Sequence, residues 1–393
     1  MIIYLFLMCI ILINSVFLKN RRKAFILTSF GLLIIVAALR KDTVGVDLYL
    51  HYAPNFETIA RLDWGNVGGY FTGVGQYDIG YVFFCKALSL ISGDKQFFIF
   101  VTSVIILGSL ARFIYRYSSR IELDTLLVLT TFTYFQYMCL IAQALALAIV
   151  LNGISYLNEK KYWKYICVVF LASTIHISAM ICLVFIPLQW MELKRKNIFI
   201  FLGCMIMGLV AYQKIMPIIV NTFFNSFSFY IGQEKHGIAT GLGITGIYYL
   251  LMFALCIMLG IICEYGGKRE IEQPMRRQSQ RHWVIKVGGL RTQNPKEKTI
   301  QGFQLPFLIY MAIGAFFFYT AGLQVQISRR FIYYFSPFAY LALGQSLTEM
   351  KNRKMAQILY YLTVFFTIAE FLFLGENMAK SGSGTVPYFF FWQ

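Results

Sequence analysis

What most constrains this chain is the recurrence of apolar runs close to the length of a membrane crossing, separated by connections rich in Lys and Arg. A hydrocarbon core about 30 Å thick takes about 20 apolar residues as a helix, which satisfies its own backbone hydrogen bonds there. Residues 2–18, 24–39, 96–114, 122–139, 140–157, 197–213, 246–263, 304–321, 331–347 and 355–374 read as such spans. Residues 165–190 are apolar between basic flanks, so they must enter and return on one side. They are expected as a pair of short helices that turns near His176. Residues 79–92 are too short to cross and read as an interfacial or re-entrant helix. The predicted fold is an all-α, polytopic membrane bundle, one integral membrane domain over residues 1–393, with about twelve crossings.

Composition agrees: 58% hydrophobic against 13% charged residues excludes a string of soluble domains. The net charge of +17 would suit nucleic acid, but the cations sit mainly between spans, where they fix orientation. No nucleic-acid partner is expected. Lys19, Arg21, Arg22 and Lys23 place the first connection inside and both termini outside. Residues 2–18 lack a basic leader and a small-residue cleavage site, so they read as a first span rather than a signal peptide. Residues 40–95 and 214–245 then face outward. The basic connection 264–303 faces the cytoplasm, either as a solvated loop or as a surface for anionic lipid or a partner protein. The eight cysteines are scattered along apolar runs with no C-x-x-C pair, which suits reduced packing residues and neither a metal cage nor a disulfide framework.

Polar residues stand out against this background. The stretch from Arg40 to Tyr52 follows span 24–39 directly and holds Asp42, Gly45, Asp47, Tyr49 and His51. Arg40, Lys41, Arg61, Arg329 and Arg330 fall on the outer side, where the charge rule disfavours cations. Such residues either snorkel to headgroups or pair with an anion, and the Arg fork matches phosphate. Asp47 reads either as a loop ion-pair partner of Arg40 or as a carboxylate that orients sugar hydroxyls or accepts a proton. His176, in an apolar segment, is either satisfied by nearby hydroxyls or poised as a base. Gly-rich phosphate loops, zinc-protease and serine-hydrolase signatures do not occur. Any substrate must therefore arrive already activated.

The pattern Arg40-x4-Gly45-x-Asp47-x-Tyr49, followed by Asp78-x-Gly80-Tyr81, resembles the N-terminal signature of the EpsG-like branch of Wzy polysaccharide polymerases. Gln143-x2-Ala146, Ile175-His176-x-Ser178-Ala179, Arg330 beside Tyr333-Tyr334-Phe335, and Pro387-Tyr388 continue the match in order. One position departs: where this family commonly has arginine before the glutamine, this chain has Ala142. The resemblance implies a GT-C-like glycosyltransferase at the outer face of a bacterial cell membrane. Such an enzyme moves a growing glycan from undecaprenyl diphosphate to the terminal sugar of an incoming lipid-linked repeat. It implies His176 and Asp47 as catalytic residues. Arg40, Arg329, Arg330, Gln143, Tyr49 and Asp78 would contact diphosphate or sugar. No metal and no other cofactor is required, and the partners are lipid-linked oligosaccharides, membrane lipids, a flippase and chain-length regulators. An O-antigen-type ligase, a flippase or transporter, and an export scaffold are the competing readings.

Overall fold

The computed structural model describes residues 1–18, 20–67, 78–200, 203, 206–207, 218, 244–271, 302–322 and 326–393. Most of the expected loops 214–245 and 264–303, and most of span 197–213, lie outside the described residues. Two helices, α1 (Ile2–Phe17) and α2 (Arg22–Ala38), open the chain as a hairpin tied by Asn14 to Thr28 and Ser29. A tight π-turn, Leu48–Tyr52, leads into the short α3 (Ala53–Arg61). The apolar piece after it is α4 (Ile79–Ser89), whose 11 residues rise only about 16 Å, too little to cross a bilayer. Lys86 of α4 donates to the carbonyls of Ala60 and Leu62, capping α3 with a cation where helix carbonyls are left over.

The long α5 (Lys95–Tyr117) follows, started by the Asp94 carboxylate accepting from Gln96 N–H. Segment 122–139 was expected as one span, but it is two helices, α6 (Ile121–Thr130) and α7 (Thr133–Cys139). The break lies at Phe132, which sits in the left-handed region with φ 58°. Side-chain bonds account for it. The hydroxyls of Thr131 and Thr133 both meet the buried Tyr340 hydroxyl, and the freed Thr131 carbonyl accepts from Tyr249. Two β-branched residues, weak in a helix, thus exchange regular backbone bonding for tertiary bonds.

After α8 (Ile141–Asn158) the chain forms α9 (Tyr162–Ile175), a 3₁₀ segment (Ile177–Val184) and α10 (Phe185–Trp190). It doubles back at His176. The Tyr165 hydroxyl donates to Cys182 O at 3.1 Å, and Trp190 Nε1 donates to the Tyr162 hydroxyl at 2.6 Å. Residues 162–190 therefore start and finish at one level, the hairpin that the basic flanks of residues 165–190 predicted.

The remaining helices are α11 (Ile244–Ile271), α12 (Leu305–Ala321), α13 (Ile332–Glu349) and α14 (Arg353–Met378). Helices α12 and α13 are apolar all round and almost wholly buried, the pattern of central helices. Phe113, Phe185, Phe303, Phe307 and Phe338 interlock there, with edge-on contacts of 5.0 Å for Phe113–Phe338 and 5.4 Å for Phe185–Phe338. Four stretches are long and apolar enough to cross a membrane alone: Lys95–Tyr117, Ile141–Asn158, Ile247–Tyr265 and Arg353–Asn377. Shorter apolar helices, among them Ile2–Phe17, Tyr162–Ile175 and Leu305–Ala321, pack with them. The described residues form an all-helical bundle with no β-strand.

The C-terminal tail closes the structure. Residues 384–391 run beside 39–45, with Lys41 N–H donating to Phe389 O, Phe391 N–H to Leu39 O, and Gly45 N–H to Gly384 O. Tyr388 donates to Val36 O at 2.7 Å, and Tyr4 to Thr385 O at 2.9 Å. The Pro387-Tyr388 motif therefore fastens the segment that begins at Arg40. Gly45 has φ +119°, a backbone state that a side chain rarely adopts, and it begins the turn that delivers Asp47.

Candidate functional site

Four distant parts of the chain meet at one end of the bundle. The π-turn supplies Asp47, the start of α4 supplies Asp78, the hairpin supplies His176, and a 3₁₀ turn (Gln326–Phe331) supplies Arg330. An Asp47 carboxylate oxygen lies 3.6 Å from Arg330 Nη2, and both side chains are partly exposed. Asp47 N–H points at Cys139 Sγ, which fixes the turn against the junction of α7 and α8. Gln143, in the first turn of α8, donates its amide to the main-chain carbonyl of Arg330. It is 4% exposed. Expected to touch substrate, Gln143 instead holds the backbone that carries Arg330. Ala142, at the departing position, is buried beside it.

Asp78 stands just before α4 and accepts a 2.9 Å hydrogen bond from Ile177 N–H. The same oxygen lies 3.9 Å from His176 Nδ1. Burial pushes the Asp78 carboxyl up to about 6, with the Ile177 N–H pulling the other way. His176 accepts at Nδ1 from Ser178 N–H at 3.3 Å, and the Ser178 hydroxyl is 3.1 Å from the same nitrogen. An Nδ1 that accepts from a backbone N–H leaves the proton of the neutral ring on Nε2. The ring then offers a donor at Nε2. Ser178 continues to the buried Tyr334 hydroxyl at 2.8 Å, so α13 also steadies the hairpin turn. Tyr52 and Tyr81, with ring centres 5.7 Å apart, back this wall, while Tyr49 is exposed on the π-turn.

Gly80 is what lets α4 approach. A Cβ there would lie 2.7 Å from the Thr174 carbonyl and overlap its side chain as well. Gly80→Ala should therefore force α4 from the end of α9, cost roughly 1–3 kcal/mol by overpacking, and pull Asp78 off Ile177 N–H. A lowered Tm in detergent together with a proportionally larger loss of activity checks this.

Two expected phosphate contacts are placed differently. Arg40 is 1% exposed, and its guanidinium donates to Ala37 O, to Ser103 Oγ at 3.1 Å and to Met138 O at 3.0 Å. It does not turn outward: its charge-assisted bonds join α2, α5 and α7 beneath the site. Arg40→Ala should strand the Ala37 and Met138 carbonyls and cost roughly 3 kcal/mol or more. Thermal unfolding reads this directly, and Arg40→Lys should recover only part. Arg329 lies over the Tyr319 ring, 5.5 Å from its centre. One of the two sequence readings of His176, an imidazole satisfied by a nearby hydroxyl, is met by Ser178. Neither the continuation to Tyr334 nor the inward turn of Arg40 was assigned from the sequence.

The arrangement combines a partly exposed guanidinium beside Asp47, a carboxyl that burial raises to about 6, and an imidazole whose Nδ1 accepts from Ser178 N–H. It can bind an anion, hold sugar hydroxyls and accept a proton. A model of the EpsG family matches residues 23–390, nearly the whole chain. No curated protein matches it. No solved structure matches it.

Proposed function

This chain belongs to the EpsG family, a group of Wzy-like polysaccharide polymerases, and we propose that it joins lipid-linked oligosaccharide repeats into polymer. The observation that carries this reading is the convergence of Arg330, Asp47, Asp78 and His176 at one end of an apolar bundle. The donor is a growing glycan on undecaprenyl diphosphate, and the acceptor is the terminal sugar of an incoming lipid-linked repeat. The site faces outward across a bacterial cell membrane, in a GT-C-like bundle of about twelve crossings with both termini outside.

In the reaction, the bond from the donor's anomeric carbon to the diphosphate oxygen breaks and the electron pair leaves with the lipid diphosphate. The acceptor hydroxyl oxygen forms the new glycosidic bond, and its proton passes to Asp78. Arg330 stabilises the charge growing on the diphosphate, as a donor aimed in advance at the place where charge develops. Asp47 orients Arg330 and is close enough to meet a sugar hydroxyl. His176 donates from Nε2 to the substrate, while Ile177 N–H, next to it in the hairpin turn, sets the direction of the Asp78 carboxylate. This divides the work expected of His176: the base is the neighbouring carboxylate, whose raised pKa matches proton transfer near neutral pH. Tyr49, exposed on the π-turn, supplies aromatic surface for a sugar ring, with the buried pair Tyr52–Tyr81 packed as support for this wall.

Purified protein reconstituted with one defined undecaprenyl diphosphate oligosaccharide should produce a ladder of longer glycans without an ion gradient. Transfer to a different acceptor alone would make it a ligase. Movement of the lipid between leaflets without elongation would make it a flippase.

A further inference from the structure

Arg40 lies buried where α2, α5 and α7 meet, and no carboxylate among the described residues pairs with it. The two acids of its own segment are taken by other cations. Asp42 lies 2.6 Å from Lys95 Nζ, and Asp47 lies 3.6 Å from Arg330 Nη2. The titratable groups that face the guanidinium are Tyr4, Tyr134, Tyr388 and Cys139, phenols and a thiol that are neutral at pH 7. The three phenols spend their protons on the carbonyls of Thr385, Leu33 and Val36. The acceptors that Arg40 does have, Ala37 O, Ser103 Oγ and Met138 O, are uncharged as well. Its Nε is buried and has no hydrogen-bond partner among the described residues. A full positive charge is therefore held inside the bundle with nothing to balance it.

A cavity of about 10 Å³ adjoins it, lined by Arg40, Ala37, Ser103 and Met138 together with Thr102 and Tyr137. That is about the room of one water molecule or one small ion. Two of the hydroxyls there are already committed: Thr102 donates to Phe98 O at 2.7 Å and Tyr137 to Tyr333 O at 2.8 Å. Ser103 accepts from Arg40 Nη1, so its own proton is left to give. The donors left over at this place are thus an N–H and an O–H beside a cation. Water would satisfy Nε yet leave the charge, and for a buried ion the unbalanced charge is the larger penalty. A monatomic anion answers both. We infer that the cavity is a halide site, taking an ion of chloride's size against Arg40 Nε and the Ser103 hydroxyl. Its size excludes a phosphate or a sugar. The ion completes the junction of α2, α5 and α7 on which the Arg40–Asp47 segment stands. The inference is independent of the polymerase reading.

The test is thermal unfolding of the full chain in phosphatidylcholine nanodiscs, with sodium gluconate replaced stepwise by sodium chloride so that ionic strength stays constant. Tm should rise with chloride and saturate, by about 2–4 °C at roughly ten times the half-saturating concentration. Bromide should act alike. Ser103→Ala removes the hydroxyl donor and should raise the half-saturating concentration about tenfold, the size of a hydrogen bond to a charged group. Ser103→Asp sets a carboxylate against Arg40 and should give the same Tm in both salts. Should that variant fail to fold, the wild type and Ser103→Ala decide. Equal Tm in chloride and gluconate for the wild type means that water alone meets Nε, and it overturns the inference. A rise that never saturates overturns it too, as does an unchanged half-saturating concentration in Ser103→Ala or a full halide response in Ser103→Asp.

Discussion

Asp78→Asn should reduce glycan elongation by about 10²–10⁴-fold, the range for loss of a positioned general base. The substitution keeps the shape and still lets the side chain accept from Ile177 N–H, the bond that places it against the hairpin. What it removes is the ability to take up a proton. The pH dependence supplies the sharper readout. In the wild type the Asp78 carboxyl is lifted to about 6, so it is ionised and able to accept a proton above that pH. As pH falls through about 6 it becomes protonated, and kcat/KM should drop by about tenfold per pH unit below that point. The Asn variant should lack this limb and show a flat residual rate. His176→Asn offers a control, since its amide oxygen can replace Nδ1 toward Ser178 while deleting Nε2. It should slow elongation yet keep the acid limb. A wild-type rate in Asp78→Asn, or the same limb surviving there, would remove the carboxylate from the proton transfer.

How much of this could be read from residues alone differs from element to element. The apolar runs gave the helical class, because in a membrane the backbone has few ways to satisfy itself. The doubling back at His176 followed from a length argument: basic flanks on both sides of residues 165–190 left room only for two short helices. Sequence spacing also picked out Asp47, Asp78, Gln143, His176 and Arg330, which the structure brings to one end of the bundle. Side-chain direction was the missing information. Arg40 announces a charge, but its acceptors Ala37, Ser103 and Met138 come from three segments. Nothing local indicates that they converge inward. Arg329 and Arg330 look equivalent as a dipeptide, yet they sit in a 3₁₀ turn, where successive side chains diverge by about 120°. One therefore reaches Asp47 while the other turns to Tyr319. The break at Phe132 was hidden for a related reason, since it depends on the distant Tyr340 hydroxyl.

Arg330 and Arg40 should accordingly fail in opposite ways, and that contrast tests the assignment most directly. Arg330→Ala should lower elongation by about 10²–10³-fold, comparable to losing one preorganised donor at a developing anion. Its guanidinium is partly exposed and makes a 3.6 Å ion pair with Asp47, so its removal should leave Tm nearly unchanged. Arg330→Lys keeps the charge but not the planar fork, and it should restore only a small part of the rate. Asp47→Asn weakens the orientation of the cation rather than deleting it. The expected loss is about fivefold or less, the size of a partly exposed ion pair. Arg40→Ala, in contrast, should lower Tm first, with activity lost in proportion to the protein that fails to fold. Elongation measured per folded molecule, beside thermal unfolding of the same preparations, separates the two. If Arg330→Ala loses stability and Arg40→Ala loses only turnover, the phosphate grip belongs to Arg40 and the site must open inward to reach it.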